Sequence, residues 1–140
     1  MNKMVVGFAF YHIDCVYLIR KKRPIWQAGC LNGIGGHVED GETAEEAMIR
    51  EFQEEAKAKV SNWTHVCVMK GDNFYLDVFA TQLSTDQWIE IGTNTDEEIE
   101  ACLFPGLFFE KTIPNTKFLV PMCREHLDNP DTFKTATFEY

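Results

Sequence analysis

The residues with the clearest chemical meaning are three glutamates, Glu51, Glu54 and Glu55, in a segment of helical composition. Residues three and four positions apart share one face of a helix, so these like charges repel each other and destabilise the helix. A hard divalent cation would relieve that repulsion, because such ions prefer oxygen ligands. The spacing therefore predicts a site for Mg²⁺, with Mn²⁺ as a second choice. On the spacing alone, a solvated acidic surface is the alternative.

A helix from Ala44 to about Lys57 is predicted to carry these carboxylates. Thr43 is a suitable N-cap, and Glu46 three residues later completes a capping box. At about 100° per residue, the three glutamates occupy an arc of about 100°. The apolar residues of the segment lie on a neighbouring arc that should face the core, namely Met48, Ile49, Phe52 and Ala56.

The whole segment resembles the Nudix box, a pattern with a glycine, an early glutamate and the series Arg-Glu-apolar-x-Glu-Glu at fixed distances. The matching residues are Gly36, Glu42, Arg50, Glu51, Phe52, Glu54 and Glu55. On this resemblance the chain is identified as a MutT-like member of the Nudix hydrolase family. The resemblance covers most of the chain and implies one domain, residues 1–140. The implied fold class is α/β, an α/β/α sandwich with a mixed β-sheet between helices.

The resemblance implies a metal site formed by the helix and by the glycine-rich turn before it. The implied ligands are Glu51, Glu54, Glu55 and the main chain at Gly35 and Gly36, with the Gly35 carbonyl as the family's usual additional ligand. Glu51 is either a ligand or the base that activates water, so the resemblance leaves its role open.

Two further residues of the box have supporting roles by resemblance. Arg50 is expected to orient Glu51 through a bidentate pair and to belong, with Glu51 and Glu54, to the catalytic group. Glu42 is expected to brace the junction between the loop and the helix rather than to contact phosphate.

One position departs from the pattern, because Lys57 stands where the box has glycine. Glycine there would supply the left-handed residue that ends a helix, a conformation that costs a lysine about 1 kcal/mol. We therefore expect the helix to continue one or two residues further, with Lys57 and Lys59 near its negative end.

MutT-like proteins often take another acidic ligand from a loop well after the box. The acidic residues in the corresponding region are Asp96, Glu97, Glu98 and Glu100. Glu98 is our first choice as a metal ligand, together with Glu97. An exposed acidic turn explains the same residues equally well.

The residues predicted to bind the substrate lie outside the box. Arg23 ends a basic run, residues 20–23, that could contact phosphate oxygens, and a solvated loop is the alternative. Asn115 resembles the asparagine that MutT-type proteins present to a purine, since an amide can both donate to and accept from a base edge; its alternative role is a helix N-cap. Trp26 and Phe118 are candidate stacking surfaces, although most aromatic side chains belong to the core.

The remaining segments predict a strand-rich chain with a second long helix. Strands are predicted at residues 4–10, 15–19, 60–69 and 74–81, and a helix is predicted at residues 115–127. The acidic run 96–100 is expected to be a loop or helical turn, residues 101–109 form an apolar stretch broken at Pro105, and the tail from Asp128 is unassigned.

Composition excludes several classes of protein. A net charge of −9 argues against general nucleic-acid binding, which needs a basic surface, but permits a nucleotide substrate. Five scattered cysteines without a Cys-x-x-Cys pair predict reduced thiols in a cytoplasmic protein. The sequence predicts neither a signal peptide nor a membrane span, and a monomer and a homodimer are both compatible with it.

Taken together, these features predict a Mg²⁺-dependent hydrolase of a diphosphate linkage. The favoured substrate is a (deoxy)nucleoside triphosphate, with oxidised purines among the candidates, cleaved to the monophosphate and pyrophosphate. ADP-ribose or another nucleoside diphosphate derivative is the enzymatic alternative. A non-catalytic domain that senses a nucleotide is the alternative from another class, although it would not need all three glutamates.

Overall fold

The computed structural model describes residues 1–131 and 133–140, which form a mixed β-sheet with helices on both faces. The strands are β1 (Asn2–Tyr11), β2 (Cys15–Arg20), β3 (Leu31–Asn32), β4 (Ile34–His37), β5 (Thr64–Lys70), β6 (Phe74–Gln82), β7 (Ile99–Leu103) and β8 (Ala136–Glu139). The helices are α1 (Ala44–Ala56), α2 (Thr85–Trp88), α3 (Phe104–Leu107) and α4 (Thr116–Asp128), with a 3-10 turn at Ile25–Gln27.

Strand β1 lies at the centre of the sheet, and its neighbours place the glycine-rich turn. The main path of the sheet runs β3-β2-β1-β6-β5-β8, with β7 beside β2. β1 pairs in parallel with β6, while its other edge is shared by two antiparallel strands, β4 and β2. In the β4 pairing Gly36 lies opposite Val5 and Gly35 opposite Val6. The two glycines therefore lie in the sheet, next to the start of α1.

The core has two halves because β1 is buried on both faces. Val6, Phe8 and Phe10 belong to the cluster that packs against α4, whereas Val5 and Ala9 belong to the cluster that packs against α1. Alternate side chains of a strand point to opposite faces, so a strand covered on both sides reads as a continuous apolar run. The expected α/β/α sandwich with a mixed sheet is confirmed.

Two predicted boundaries differ from the structure. The strand predicted at residues 60–69 begins only at Thr64, because Val60 is buried beneath α1 and its carbonyl accepts a hydrogen bond from the Trp63 indole, 2.9 Å away. The unassigned tail contains β8, which pairs in parallel with β5. That pairing depends on a partner about seventy positions earlier, so no local pattern indicates it.

The predicted extension of α1 past Lys57 is wrong. The helix ends at Ala56, and Lys57 adopts the positive φ of 69° that the box glycine would favour. The segment after α2 supplies the reason, since Gly92 N–H donates to Ala56 O at 3.0 Å and Asn94 N–H to Glu55 O at 3.1 Å. These tertiary bonds satisfy the last carbonyls of the helix and leave no room for another turn.

Two further predictions concern membrane-spanning helices and the state of the cysteines. None of the helices in the described residues has the length and apolar character needed to cross a membrane, and the five cysteines are free thiols.

Candidate active site

Helix α1 begins as predicted and presents its glutamates on an arc beside its buried residues. The Thr43 hydroxyl accepts from Glu46 N–H at 3.1 Å, and the Glu46 carboxylate accepts from Thr43 N–H at 3.2 Å. Met48, Phe52 and Ala56 are fully buried on the neighbouring arc. The predicted division of the helix into a core face and a carboxylate face is therefore present.

The glycines of β4 allow the sheet to approach these carboxylates. A Cβ atom at Gly36 would lie 2.5 Å from Glu51 Oε1, and one at Gly35 would overlap the Val5 carbonyl. A side chain at Gly36 would push α1 away from β4, and one at Gly35 would push β4 away from β1. The glycines are thus required by close packing, and this brings the β4 main chain next to Glu51.

Arg50 is the centre of an ion-pair network, but its bidentate partner is not the one predicted. Its Nε and Nη2 donate to Glu42 at 2.8 and 2.9 Å, whereas Glu51 receives a single bond from Nη1 at 2.9 Å. The predicted bidentate pair with Glu51 is wrong because consecutive helix residues do not face each other, while Glu42 folds back from the preceding turn. Nη2 also donates to His37 O at 2.9 Å.

Glu42 occupies the position expected for a brace. Its Oε1 also accepts from Glu39 N–H at 3.0 Å, so one carboxylate joins the turn to the helix. The hydrogen bonds from Arg50, and then the one from Glu39 N–H, lower the pKa of Glu42 to about 2.

Glu51 and Glu55 have the opposite electrostatic environment. Burial raises the pKa of Glu51, and Arg50 only partly offsets that effect. Burial, then repulsion from Glu51, raises the pKa of Glu55 to about 7, although Lys21 opposes the shift. Glu55 Oε2 is buried without a hydrogen-bond partner among the described residues. An orphaned buried carboxylate oxygen is costly, and a bound cation would compensate it.

These carboxylates have the ligand chemistry that a divalent cation needs, but their side chains are not arranged around an ion. Within residues 1–131 and 133–140, no three acidic, histidine or cysteine side chains converge closely enough to enclose an ion. Arg50 Nη1 instead lies between Glu51, at 2.9 Å, and Glu54, at 3.3 Å. Glu54 is 57% exposed in its side chain, so it is free to turn toward an ion. Oxygen donors, raised pKa values and an unpartnered Oε2 all suit a hard cation.

The two acidic residues favoured as a further metal ligand, Glu98 and Glu97, lie in different surroundings. Glu98 is exposed, and the described residues give its carboxylate no hydrogen bond or ion pair. Glu97 is buried instead, and its oxygens accept from Lys21 Nζ at 3.1 Å, Lys22 N–H at 2.6 Å and Arg23 N–H at 3.3 Å. Burial raises the pKa of Glu97, but these hydrogen bonds outweigh it, so that the pKa is lowered overall.

The predicted basic run and acidic loop pair with each other. Arg20 makes a bidentate bond to Glu100 at 2.7 and 2.8 Å, and Arg23 pairs with Asp96 at an exposed position. The Arg23 side chain is therefore already bound to a carboxylate. The complementary signs of the two runs were the signal for this pairing, and Lys21, which sequence reasoning missed, lies at its buried centre.

Asn115 begins α4, but it does not cap it. Its backbone is already helical and its side chain makes no capping hydrogen bond, so the N-cap alternative is wrong. Its Nδ2 lies 3.6 Å from Met69 Sδ and 3.5 Å from Tyr140 Oη, and its Oδ1 is buried with no partner in the described part of the chain. The amide thus retains an unused acceptor.

The two predicted stacking residues are partly accessible. Trp26 is 65% exposed on the 3-10 turn, and Phe118 is 45% exposed on α4, with its ring 6.1 Å from that of Phe138. Neither side chain is buried in the core, so each offers an accessible aromatic surface.

Comparison with known proteins identifies related sequences. Residues 4–107 match the family model of the NUDIX domain. The ADP-sugar pyrophosphatase of Mus musculus is 42% identical over 48 residues, which are 34% of this chain and 22% of that protein. The chain thus matches about a fifth of the length of this curated relative.

Solved structures share the fold at low sequence identity. The MutT protein of Bacillus halodurans superposes with a TM-score of 0.72 at 19% identity, covering 100% of this chain and 90% of that one. An ADP-ribose pyrophosphatase from Streptococcus suis superposes with a TM-score of 0.72 at 15% identity, covering 97% and 98%. At these identities the likeness concerns the fold alone.

Proposed function

Since the chain belongs to the NUDIX domain family, we propose that it is a divalent-metal-dependent pyrophosphohydrolase acting on a nucleoside diphosphate-linked substrate. The observation that carries the proposal is the unpartnered Oε2 of Glu55 on the carboxylate face of α1. A cation that binds beside β4 would explain why α1 carries several carboxylates that the chain does not fully neutralise.

The residues that would hold Mg²⁺ are Glu51, Glu54 and Glu55 with the main chain at Gly35 and Gly36. When bound, the ion neutralises phosphate oxygens and lowers the pKa of a water molecule so that it can attack phosphorus. Glu98 stays a proposed further ligand, because its exposed carboxylate has no hydrogen bond or ion pair among the described residues.

Glu51 is the best-placed proton acceptor for the attacking water. Its carboxylate is held by Arg50 at 2.9 Å and lies against Gly36, so its orientation is fixed. Burial raises its pKa despite Arg50, which makes it a stronger base than a glutamate in water. Arg50 acts through Glu51 and Glu42 and is a positioning residue.

A (deoxy)nucleoside triphosphate is the proposed substrate, with oxidised purines included, and the products would be the monophosphate and pyrophosphate. Asn115 would read the base through its unused acceptor and its amide donor, and Trp26 or Phe118 would stack on it. Arg23 would exchange Asp96 for a phosphate oxygen, since an exposed ion pair contributes at most about 1 kcal/mol. The fold is shared with a MutT protein and with an ADP-ribose pyrophosphatase alike, so this choice rests on Asn115 and not on the fold.

A nucleoside diphosphate derivative such as ADP-ribose is the second candidate. It is favoured by the 42% identity over 48 residues to an ADP-sugar pyrophosphatase. The same carboxylates would serve it, because both substrate classes present a diphosphate linkage to the metal.

A substrate panel tests the proposal directly. Nucleoside triphosphates, their oxidised purine forms and ADP-ribose are incubated with and without Mg²⁺, and phosphate, pyrophosphate and the monophosphate products are assayed separately. Pyrophosphate from a triphosphate supports the first candidate, and two monophosphates from ADP-ribose support the second. Binding of nucleotide without release of any product, in Mg²⁺ and in Mn²⁺, would leave a sensor and overturn the proposal.

A further inference from the structure

We propose that Tyr140 determines which purines this protein accepts, because it holds the Nδ2 side of the Asn115 amide and leaves Oδ1 to accept a hydrogen from the base. The favoured purine is then one that carries an amino group. This inference rests on the proposed function, because it concerns the same substrate, and it narrows the base reading to the Oδ1 acceptor. Tyr140 acts through Asn115, so it is a positioning residue rather than a catalytic one.

The pairing of β8 with β5 brings Tyr140 to the start of α4. In this pairing Phe138 lies opposite Met69, and one residue beyond the strand Tyr140 N–H donates to Lys70 O at 2.9 Å. The Tyr140 ring packs against Phe74, with the two ring centroids 5.5 Å apart. The main-chain hydrogen bond and the ring contact therefore give this exposed tyrosine a defined position.

The two ends of the Asn115 amide have different surroundings. Nδ2 lies 3.5 Å from Tyr140 Oη and 3.6 Å from Met69 Sδ, and both of these atoms can accept a hydrogen. Turning the amide over would place its oxygen beside the thioether sulfur, which has no hydrogen to donate. Oδ1 is buried without a partner among the described residues, and such an acceptor is costly until a donor reaches it.

Exposed aromatic rings lie beside this amide. Phe118 is three positions after Asn115, on the same side of α4, and its ring centroid is 6.1 Å from that of Phe138. Alternate residues of a strand share a face, so Phe138 lies on the face of β8 that carries Ala136, which packs against the core beneath α4. An aromatic surface next to one unused acceptor suits a planar base that stacks and donates one hydrogen.

Binding of nucleoside monophosphates to the full chain provides the test. AMP is compared with purine riboside monophosphate, which lacks the 6-amino group, and GMP is compared with IMP, which lacks the 2-amino group. Dissociation constants are measured by calorimetry in the presence of a chelator. In one of the two pairs, we expect the base with the amino group to bind at least about fivefold more tightly. Equal binding within both pairs, or no binding of any of the nucleotides, would overturn the inference.

Two tyrosine variants connect that preference to Tyr140. Tyr140→Phe removes the hydroxyl and keeps the ring, so the amide is no longer held, and the preference should fall at least about threefold. Tyr75→Phe is the matched control, because its ring contacts Lys70 at 5.5 Å and lies on the face of β6 opposite to Phe74. That variant should keep the full preference.

A second background separates positioning from packing. Asn115→Asp presents an oxygen whichever way its carboxylate is turned, so it should keep the preference, and adding Tyr140→Phe to it should change nothing. A folded Tyr140→Phe that keeps the full preference, or that weakens all the nucleotides equally in both backgrounds, would overturn the inference. Monophosphate binding needs neither metal nor hydrolysis. If the preference behaved as expected while no substrate of the panel gave a product, only the proposed hydrolysis would fail.

Discussion

The acidic residues of α1 and those of residues 96–100, a loop that leads into β7 at Ile99, have opposite electrostatic environments, although both groups are runs of carboxylates in the sequence. In this second group, hydrogen bonds from Arg23 and Arg20 lower the pKa of Asp96 and of Glu100. In the helix, burial raises the pKa of Glu51 and of Glu55. The loop carboxylates have partners within the chain, and the helix carboxylates have too few.

This difference distinguishes structural acids from acids that await a ligand. Arg20 in β2 pairs with Glu100 in β7, and Arg23 after β2 pairs with Asp96 before β7, so these carboxylates already have cationic partners. The helix group retains a raised pKa of about 7 at Glu55 and an oxygen without a partner. The carboxylates of residues 96–100 therefore stabilise the fold through their ion pairs, while those of α1 remain available to bind a cation.

The largest expected effect is on turnover. Glu54→Gln and Glu55→Gln should each lower kcat at least about a hundredfold, because each removes one formal charge from the metal site. Asp96→Asn should lower it by no more than about threefold, since that carboxylate only pairs with Arg23. Circular dichroism checks the fold of each variant. Near-normal kcat in both glutamine variants would remove the distinction between helix and loop.

Metal-linked stability is the next test. A ligand that binds only the folded state adds about 2.7 kcal/mol at a hundredfold excess over Kd. We expect the Tm to rise with Mg²⁺, measured with pyrophosphate present, in the unaltered chain and in Asp96→Asn. The rise should be absent in Glu55→Gln. A Tm independent of Mg²⁺ across the titration would contradict the assignment of the helix group.

The unpaired state of Asn115 gives a third test, because its Oδ1, like Glu55 Oε2, is buried without a partner. If such acceptors mark ligand contacts, Asn115→Ala should raise KM for purine triphosphates more than for pyrimidine ones, by about 1–3 kcal/mol of discrimination. The Tm should change little, because no capping bond is lost. Equal losses for all four triphosphates would leave base reading without support.

The metal-free protein should depend on pH through Glu55. The folded-state pKa is about 7 against a reference of 4.5, so its contribution to stability is complete below about pH 4.5 and is lost as pH rises through 7. Glu55→Gln should therefore exceed the unaltered chain in stability at pH 8 by about 1–2 kcal/mol, a value reduced for solvent screening. Denaturant titrations in a chelator at pH 5 and pH 8 measure the difference. A gap that does not widen with pH would indicate that Glu55 is already compensated.

The smallest expected effect concerns the end of α1, where residues 92–94 bind to the last carbonyls of the helix. Lys57 holds a positive φ where Gly92 and Asn94 dock on the end of α1. Lys57→Gly should raise the free energy of unfolding by about 0.5–1 kcal/mol, because glycine adopts this φ without strain. Lys59→Gly, at a position without positive φ, should not stabilise the protein. Similar responses of both variants would show that strain at Lys57 is negligible.

Local patterns predicted the parts of the site that depend on neighbouring residues. The capping box of Thr43 and Glu46, the carboxylate face of α1 and the glycines beside it all involve residues within about twenty positions. The burial of Glu97 and the bidentate partner of Arg50 could not be predicted as well, because they depend on contacts that form only when the chain folds.

By itself, the sequence determined that a helix would present three closely spaced carboxylates, since helical periodicity is a property of the chain alone. The tertiary structure decided which acids stay unneutralised. Lys21 and Glu97 lie far apart in sequence and meet only because β2 and the 96–100 loop are neighbours. The same contacts place Gly92 against the end of α1 and impose on Lys57 a conformation that its own preference opposes. Charge balance and helix termination both depend on partners brought together by the sheet, and such partners leave no local pattern.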